Sequence, residues 1–385
     1  MPQSTWSPAP WNKHTTNREQ PASLPLTIAP VGENVDSVER VRECVAIKQR
    51  GRQVVTAVRT LDHRLKLFSW RVNADGSVVC TGASNPLPGR VAQIALARAR
   101  KFVTAFRTAA RQLELISWDV SNTGAIYQAG ASVAPKGEIA DEVNKVRLVA
   151  LSDQLLLTAC TTPTGQIILS SWRLNDDDSL TRLQDAMPTV EHVRELVPVV
   201  LPAGPTGVRL LLIICTQAGQ LKLQGWEIAP NGELQPTTPL VETDEKVSRF
   251  DAVLDSEGRL VTSLRLANGR LKLVAWTIAP DGHTIQRLCD SGAKGERIRQ
   301  HALMAQTAHV LTALQTVTGQ VKLVAWTIAS TPVQDRALVC VGDALTQNVA
   351  LVAPGFCQEP LDGNAPILTN SITTDGTLKL LTWRA

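Results

Sequence analysis

Aromatic residues are scarce in this chain of 385 residues: nine tryptophans, five phenylalanines and one tyrosine, Tyr127. A protein that stacks repeated sugar rings needs exposed aromatics to spare, so the shortage weighs against a lectin-like role. Histidine is scarce as well. His14, His63, His192, His283, His301 and His309 form no HExxH and no other paired spacing, which removes the usual zinc pattern. No GxSxG, no glycine-rich phosphate loop and no Cys–His pairing occurs in sequence, so the local signatures of nucleophilic and phosphoryl chemistry are missing. No metal and no cofactor is expected. The seven cysteines are odd in number and lack CxxC spacing, which predicts reduced, buried thiols acting as small hydrophobes. There is no apolar run of membrane length and no secretory core near Met1, which predicts a soluble, cytoplasmic protein without a membrane partner. A net charge of +4 is too small to imply a nucleic-acid partner.

What the chain does have is a repeat. Trp70, Trp118, Trp172, Trp226, Trp276, Trp326 and Trp383 follow one another at gaps of 48, 54, 54, 50, 50 and 57 residues, and GRLKLVAWTIAPDG (269–282) is a full copy. A period near fifty means one supersecondary unit per repeat rather than one mixed core. The residues three and five before each Trp are aliphatic, and the residue just before it is small: Ser69, Ser117, Ser171, Gly225, Ala275, Ala325 or Thr382. Strand alternation puts these on one sheet face and the Trp on the other, so both faces are to be covered, the Trp of one sheet filling the space its neighbour's small residue leaves.

Further back, Thr60, Thr108, Thr162, Thr216, Thr316 and Thr373 stand ten before the Trp, with Leu266 as the exception. Thr56, Thr104, Thr158, Thr262, Thr312 and Thr369 stand fourteen before it, with Leu212 as the exception. They lie in a β-branched run, a second strand, and Gly165, Gly219, Gly269, Gly319 and Gly376 mark the hairpin after it. Turns such as NADG and APDG follow the Trp and lead to an outer strand, while runs such as VRECVAIK supply an inner one. Seven units of four antiparallel strands predict an all-β, seven-bladed β-propeller. The last copy stops at Ala385 without its fourth strand, and residues 25–30, LPLTIA, are placed to supply it, closing the ring. Residues 23–385 then form a single domain, and the polar, Pro-interrupted 1–22 a flexible leader in which Trp6 and Trp11 either fold back or act as a docking peptide.

The third strand, apolar-Lys-apolar running into a Trp, resembles that of WD-repeat propellers, over residues 25–385 or about 94% of the chain. It lacks their Gly-His pair, and only Trp118-Asp119 makes their Trp-Asp dipeptide. The resemblance implies that the end of the second strand shares a face with the loops between blades. Arg59, Arg107, Arg265 and Gln315, eleven before their tryptophans, lie at that end and are the candidate binding residues. The seven tryptophans are structural. Lys66, Lys222, Lys272, Lys322 and Lys379, four before the Trp, are expected to reach solvent with their ammonium groups. Through residue 120 there are 17 basic against 9 acidic residues, a basic sector. Glu191, His192 and Glu195 could build part of a metal or proton-transfer site, while Asp176-Asp177-Asp178 is a turn.

The function expected is a non-catalytic binding or scaffold protein that offers a loop-lined face to a protein partner, ahead of a small molecule or glycan. An enzyme with its site at the central channel and a lectin-like propeller are the alternatives.

Overall fold

The computed structural model describes residues 28–132, 142–188, 191–202, 207–279, 284–329, 337–345, 355–356, 366–373 and 375–384. Among these there are strands and turns and no helix. The strands pair into successive antiparallel groups of four, numbered here in chain order, each with an inner, second, third and outer strand.

The second group is typical: Val91–Arg98, Phe102–Thr108, Leu113–Val120 and Ile126–Ala131. The third repeats it with Lys145–Ala150, Leu155–Thr161, Ile167–Leu174 and Leu180–Ala186. Long strands are shared where groups run together: Val241–Leu254 begins against the third strand of the fourth group and continues as the inner strand of the fifth. Ala29–Lys48 does the same over 20 residues. Its first part pairs with Thr377–Arg384, the last Trp strand, and its second part with Gln53–Thr60. The paired part covers Ala29–Arg40, further along than the expected 25–30, of which residues 25–27 lie outside the described residues. The leader and its Trp6 and Trp11 also lie outside them.

Each repeat Trp is buried, 0–5% exposed. It packs on the preceding group, against the aliphatic residues three and five before that group's own Trp. Trp118 shares an apolar cluster with Leu65 and Leu67, Trp172 with Leu115, Trp226 with Ile167 and Leu169, and Trp276 with Leu221 and Leu223. Trp326 meets Leu271 and Leu273, and Trp383 meets Val321 and Leu323. Trp70, of the first group, packs with Leu378 and Leu380 of the last. Burying such a side chain stabilises by about 2–3 kcal/mol relative to exposure, so these seams dominate the fold's energetics.

The recurring threonines serve the same frame. Six of the indoles donate from Nε1 to the threonine fourteen residues back at 2.9–3.0 Å: Thr56, Thr104, Thr158, Thr262, Thr312 and Thr369. Fourteen residues before Trp226 stands Leu212, and the buried Nε1 of this indole has no partner. The threonine ten before the Trp accepts from the N–H four residues on, as Thr108 does from Gln112 and Thr216 from Gln220, tightening the hairpin. In the fifth group, where Leu266 stands there, Asn268 caps Arg270 N–H in its place.

The small residue before the Trp does more than leave room. Ser69, Ser117, Ser171 and Thr382 donate their hydroxyls to Gly124, Asp178, Gly232 and Gly76, carbonyls in the third–outer hairpin of the next group, and for Thr382 in that of the first. The approach is close: a Cβ on Gly82, opposite Ser69, would lie 2.2 Å from the Gly124 carbonyl oxygen. Only Ala275 and Ala325, which lack a hydroxyl, lie in the apolar cluster around the next Trp.

Two expectations are corrected. Cys80 and Cys340 are exposed, because each sits on an outer strand, where side chains alternate toward solvent; the six described cysteines are free thiols. The lysines do not simply reach into water. Lys222, with 5% of its side chain exposed, bonds Glu191 and Glu242 at 2.7 Å, Lys272 bonds Glu245 at 2.7 Å, and Lys66 pairs with Glu39.

Candidate functional site

One end of the sheets gathers the second–third hairpins and the starts of the inner strands. Backbone bonds lock the two together: Val91 N to His63 O at 2.6 Å, Val143 N to Arg111 O at 2.7 Å, Val193 N to Gly165 O at 2.7 Å, Val247 N to Gly219 O at 2.8 Å and Ile298 N to Gly269 O at 2.9 Å. Val41 N to Gly376 O, at 2.6 Å, ties the last group to the first in the same way. A surface held by such links is a rigid support for side chains that vary from group to group.

Charged residues concentrate there in a register the strands impose. The residue eleven before the Trp pairs across the ladder with the inner-strand residue two after the Val or Ile that bonds a hairpin: Arg59 with Glu43, Arg107 with Gln93, Arg265 with Arg249, Gln315 with Gln300. Arg59 is neutralised by Glu43 at 3.1 Å and also reaches His63 Nδ1 at 3.2 Å. Burial raises the Glu43 carboxyl above its ordinary range although Arg59 works against it. In the third and fourth groups, Lys145 and Arg147 both hold Glu195 at 2.9 Å; burial alone would raise this carboxyl, but Arg147 and Lys145 outweigh it and hold it low.

Between the fifth and sixth groups, two polar inner-strand residues stand beside the apolar cluster around Trp326. Asp251 is half-buried and accepts from Leu303 N and Ala252 N at 2.9 Å; desolvation pushes its carboxyl up. His301 stands where other inner strands carry Ile94, Val146 or Phe250, donates from Nε2 to Ser263 O at 3.0 Å, and leaves Nδ1 without a partner. Burial, with Arg249 and Arg265 nearby, lowers this imidazole to about 4. The arrangement holds sheets together and sets a positive field around half-buried carboxylates.

No family matches the sequence, and no curated protein does. Among solved structures the chain is similar to a "putative 6-phosphogluconolactonase" from Bacteroides fragilis, at 12% identity and a TM-score of 0.52, over 83% of this chain and 87% of that one. It is similar at lower scores to the BBS1N chain of a complex with ARL6DN (15% identity, TM-score 0.49, covering 90% and 98%). The SapL1 lectin in complex with alpha methyl fucoside also compares (11% identity, TM-score 0.48, covering 78% and 96%). At such identities the likeness is one of fold: all-β, built of repeated four-stranded sheets, as in a β-propeller.

Of the four candidate binding residues, the structure leaves one with its charge unspent. Arg265 is committed to Ile298 O at 2.7 Å and Ser248 Oγ at 2.8 Å, and Gln315 is buried. Arg107 has no bond or ion pair among the described residues, and its buried Nε is unsatisfied. It lies beside Arg59 and Arg111, which, after desolvation, lower its pKa. His63 senses the same field: partial desolvation first, then Arg42, Arg59 and Arg90, depress its imidazole. Glu191, His192 and Glu195 are drawn apart, to Lys222, to Thr164 O and to Lys145 with Arg147. Asp176–Asp178 form a turn in which Asp177 accepts from Ser179 and Asp178 meets Arg100. Among the described residues no group of three metal-binding side chains converges, and no helix is long and apolar enough to cross a membrane.

Sequence reasoning missed the inner-strand partners Glu43, Arg249, Asp251 and His301. The signal for Glu43 and Arg249 is an offset of sixteen residues before the arginine of the second strand.

Proposed function

We propose that the four-stranded groups are the seven blades of one closed β-propeller spanning residues 23–385, with 1–22 as a flexible leader. The protein is a non-catalytic binding or scaffold protein whose hairpin end receives a protein partner. Closure is supported by the pairing of Ala29–Arg40 with the last Trp strand and by the Trp70 seam between first and last groups.

One observation carries the binding reading. Five of the second–third hairpins place glycine at their left-handed position, Gly165, Gly219, Gly269, Gly319 and Gly376, with φ from 81° to 91°. The first two groups place His63 (φ 68°) and Arg111 (φ 64°) there. An L-residue in that conformation costs about 1–2 kcal/mol that glycine would avoid, and such strain persists where the side chain is needed. Both side chains stand on the basic sector, beside Arg42, Arg59, Arg90 and Arg107. Leu61, 39% exposed, and Val317, 44% exposed, add apolar tips on the same end, the mixture a protein surface recognises.

The test is a trade-off. His63→Gly with Arg111→Gly is expected to raise stability by about 1 kcal/mol per site and to abolish salt-sensitive capture of native partners by the immobilised protein. A stabilised variant that captures the same proteins as wild type overturns the reading.

An enzyme at the propeller centre is the second reading, favoured by the displaced pKa values of Glu43, Asp251 and His301. It requires a turnover that Asp251→Asn removes from a folded protein. A lectin role would have to do without the seven repeat tryptophans, which are buried.

A further inference from the structure

On the inner strands, from their links to the hairpins onward, the unspent charge has one sign. The three inner carboxylates are all satisfied: Glu43 by Arg59 and Ile94 N–H, Glu195 by Lys145 and Arg147, Asp251 by two backbone N–H groups. Four arginines there lack a carboxylate. Arg107 faces Gln93 across the ladder, and the Gln93 amide oxygen is taken by Val146 N–H at 3.1 Å. Arg249 faces Arg265, so like charges stand opposite. Arg265 turns away to Ile298 O and Ser248, and the exposed Arg249 has no bond or ion pair among the described residues. Arg42 and Arg299 occupy the same place on their inner strands, one residue after Val41 and Ile298, and both are exposed. Arg42 meets only the Leu61 carbonyl, at 3.4 Å, and neither has a carboxylate partner among the described residues.

We infer that this end binds an acidic peptide segment of the partner, its carboxylates set on Arg107 and Arg249 with Arg42 and Arg299 flanking. The inference rests on the reading of the hairpin end as a protein-binding surface and names the chemistry that surface selects. Guanidinium groups match carboxylates with paired N–H donors, and a desolvated guanidinium such as that of Arg107 gains most from a carboxylate that arrives with its own chain. The apolar tips Leu61 and Val317 beside Arg42 and Arg297 suit a peptide better than a free anion, which would leave them in water. A nucleic-acid backbone carries a charge at every residue. Laid across this end it would set phosphates against Glu43 and Glu195 as well as against the arginines.

The experiment titrates the full chain with a labelled oligoglutamate peptide, reading anisotropy at low and at physiological salt, with oligoglutamine as control. Saturable binding that weakens with salt is expected. Arg107→Gln and Arg249→Gln are each expected to weaken it about tenfold, as losing one charge-assisted contact does. Arg173→Gln, exposed near the opposite end of a third strand, should leave it unchanged. Because a variant could misfold, the wild type is also followed by NMR. Carboxylates arriving beside Arg42 and Arg59 offset their field, so the His63 ring should titrate at higher pH when the peptide is bound. Binding no better than that of oligoglutamine, an equal loss with Arg173→Gln, or an unmoved His63 titration overturns the inference. So does an oligonucleotide that displaces the peptide and binds more tightly, which would assign the surface to nucleic acid. If oligoglutamate fails while the His63→Gly, Arg111→Gly variant still loses its native partners, the acidic segment is refuted and the protein-binding surface stands.

Discussion

Trp226 offers a clean measurement of what the Trp–Thr bond contributes. Trp226→Phe and Trp276→Phe remove the same indole volume from similar seams, with 3% and 5% exposure before the change. The cavity and transfer costs therefore nearly cancel in the comparison. What remains is the donor. In Trp276 the Nε1–H is bonded to Thr262 Oγ1 at 3.0 Å, whereas in Trp226, where Leu212 takes the threonine's position, it is buried with no acceptor. Removing Trp276 breaks a buried bond; removing Trp226 relieves an unsatisfied donor. An orphaned buried polar group costs about 1–3 kcal/mol, so Trp226→Phe should be milder than Trp276→Phe by about that amount. Thr262→Val, which keeps the shape and removes the acceptor, should by itself cost about 1–3 kcal/mol. Urea unfolding followed by far-UV circular dichroism, compared at equal slopes, reads these differences. If the two tryptophan variants lose the same stability, or if Thr262→Val is neutral, the bond is incidental to the fold.

Three further outcomes are expected. His301 binds its proton only near pH 4 when folded but near 6.5 when unfolded, so the unfolded state takes up more protons between these values. Stability is then full above about pH 6.5 and falls toward pH 4 by about 3 kcal/mol, while the raised carboxyls of Asp251 and Glu43 oppose the trend over their own range. His301→Leu, matching the apolar residues of other seams, should flatten the profile in denaturant melts at stepped pH, and an unchanged slope would refute the assignment. Lys272→Met should cost about 2 kcal/mol, between an exposed pair and a buried one, because Glu245 keeps only Arg287; a neutral result would mean the lysine is a surface residue after all. Deleting residues 1–22 should leave the melting temperature unchanged, whereas deleting through Val31 removes the pairing with Thr382–Arg384 and should lower it by several degrees. A mild second deletion would argue against closure.

The sequence by itself determined the repeat unit. A Trp at a fifty-residue period, aliphatic residues three and five before it, and threonines ten and fourteen before it are enough to specify a strand, its hairpin and its two covered faces, since strand alternation and turn chemistry are local. Two hairpins lack the recurring glycine, and only the backbone shows His63 and Arg111 in the left-handed region in its place. The tertiary structure decided what the exceptions and the charges do. Whether Arg59, Arg107 or Arg265 is free depends on what faces it across the ladder, and Glu43, Gln93 and Arg249 come from another strand. Whether Ser69 is merely small or bridges two sheets depends on the Gly124 carbonyl, which only the docking of neighbouring sheets brings within 2.8 Å. Such pairings set non-local distances in space, and no local pattern along the chain encodes them.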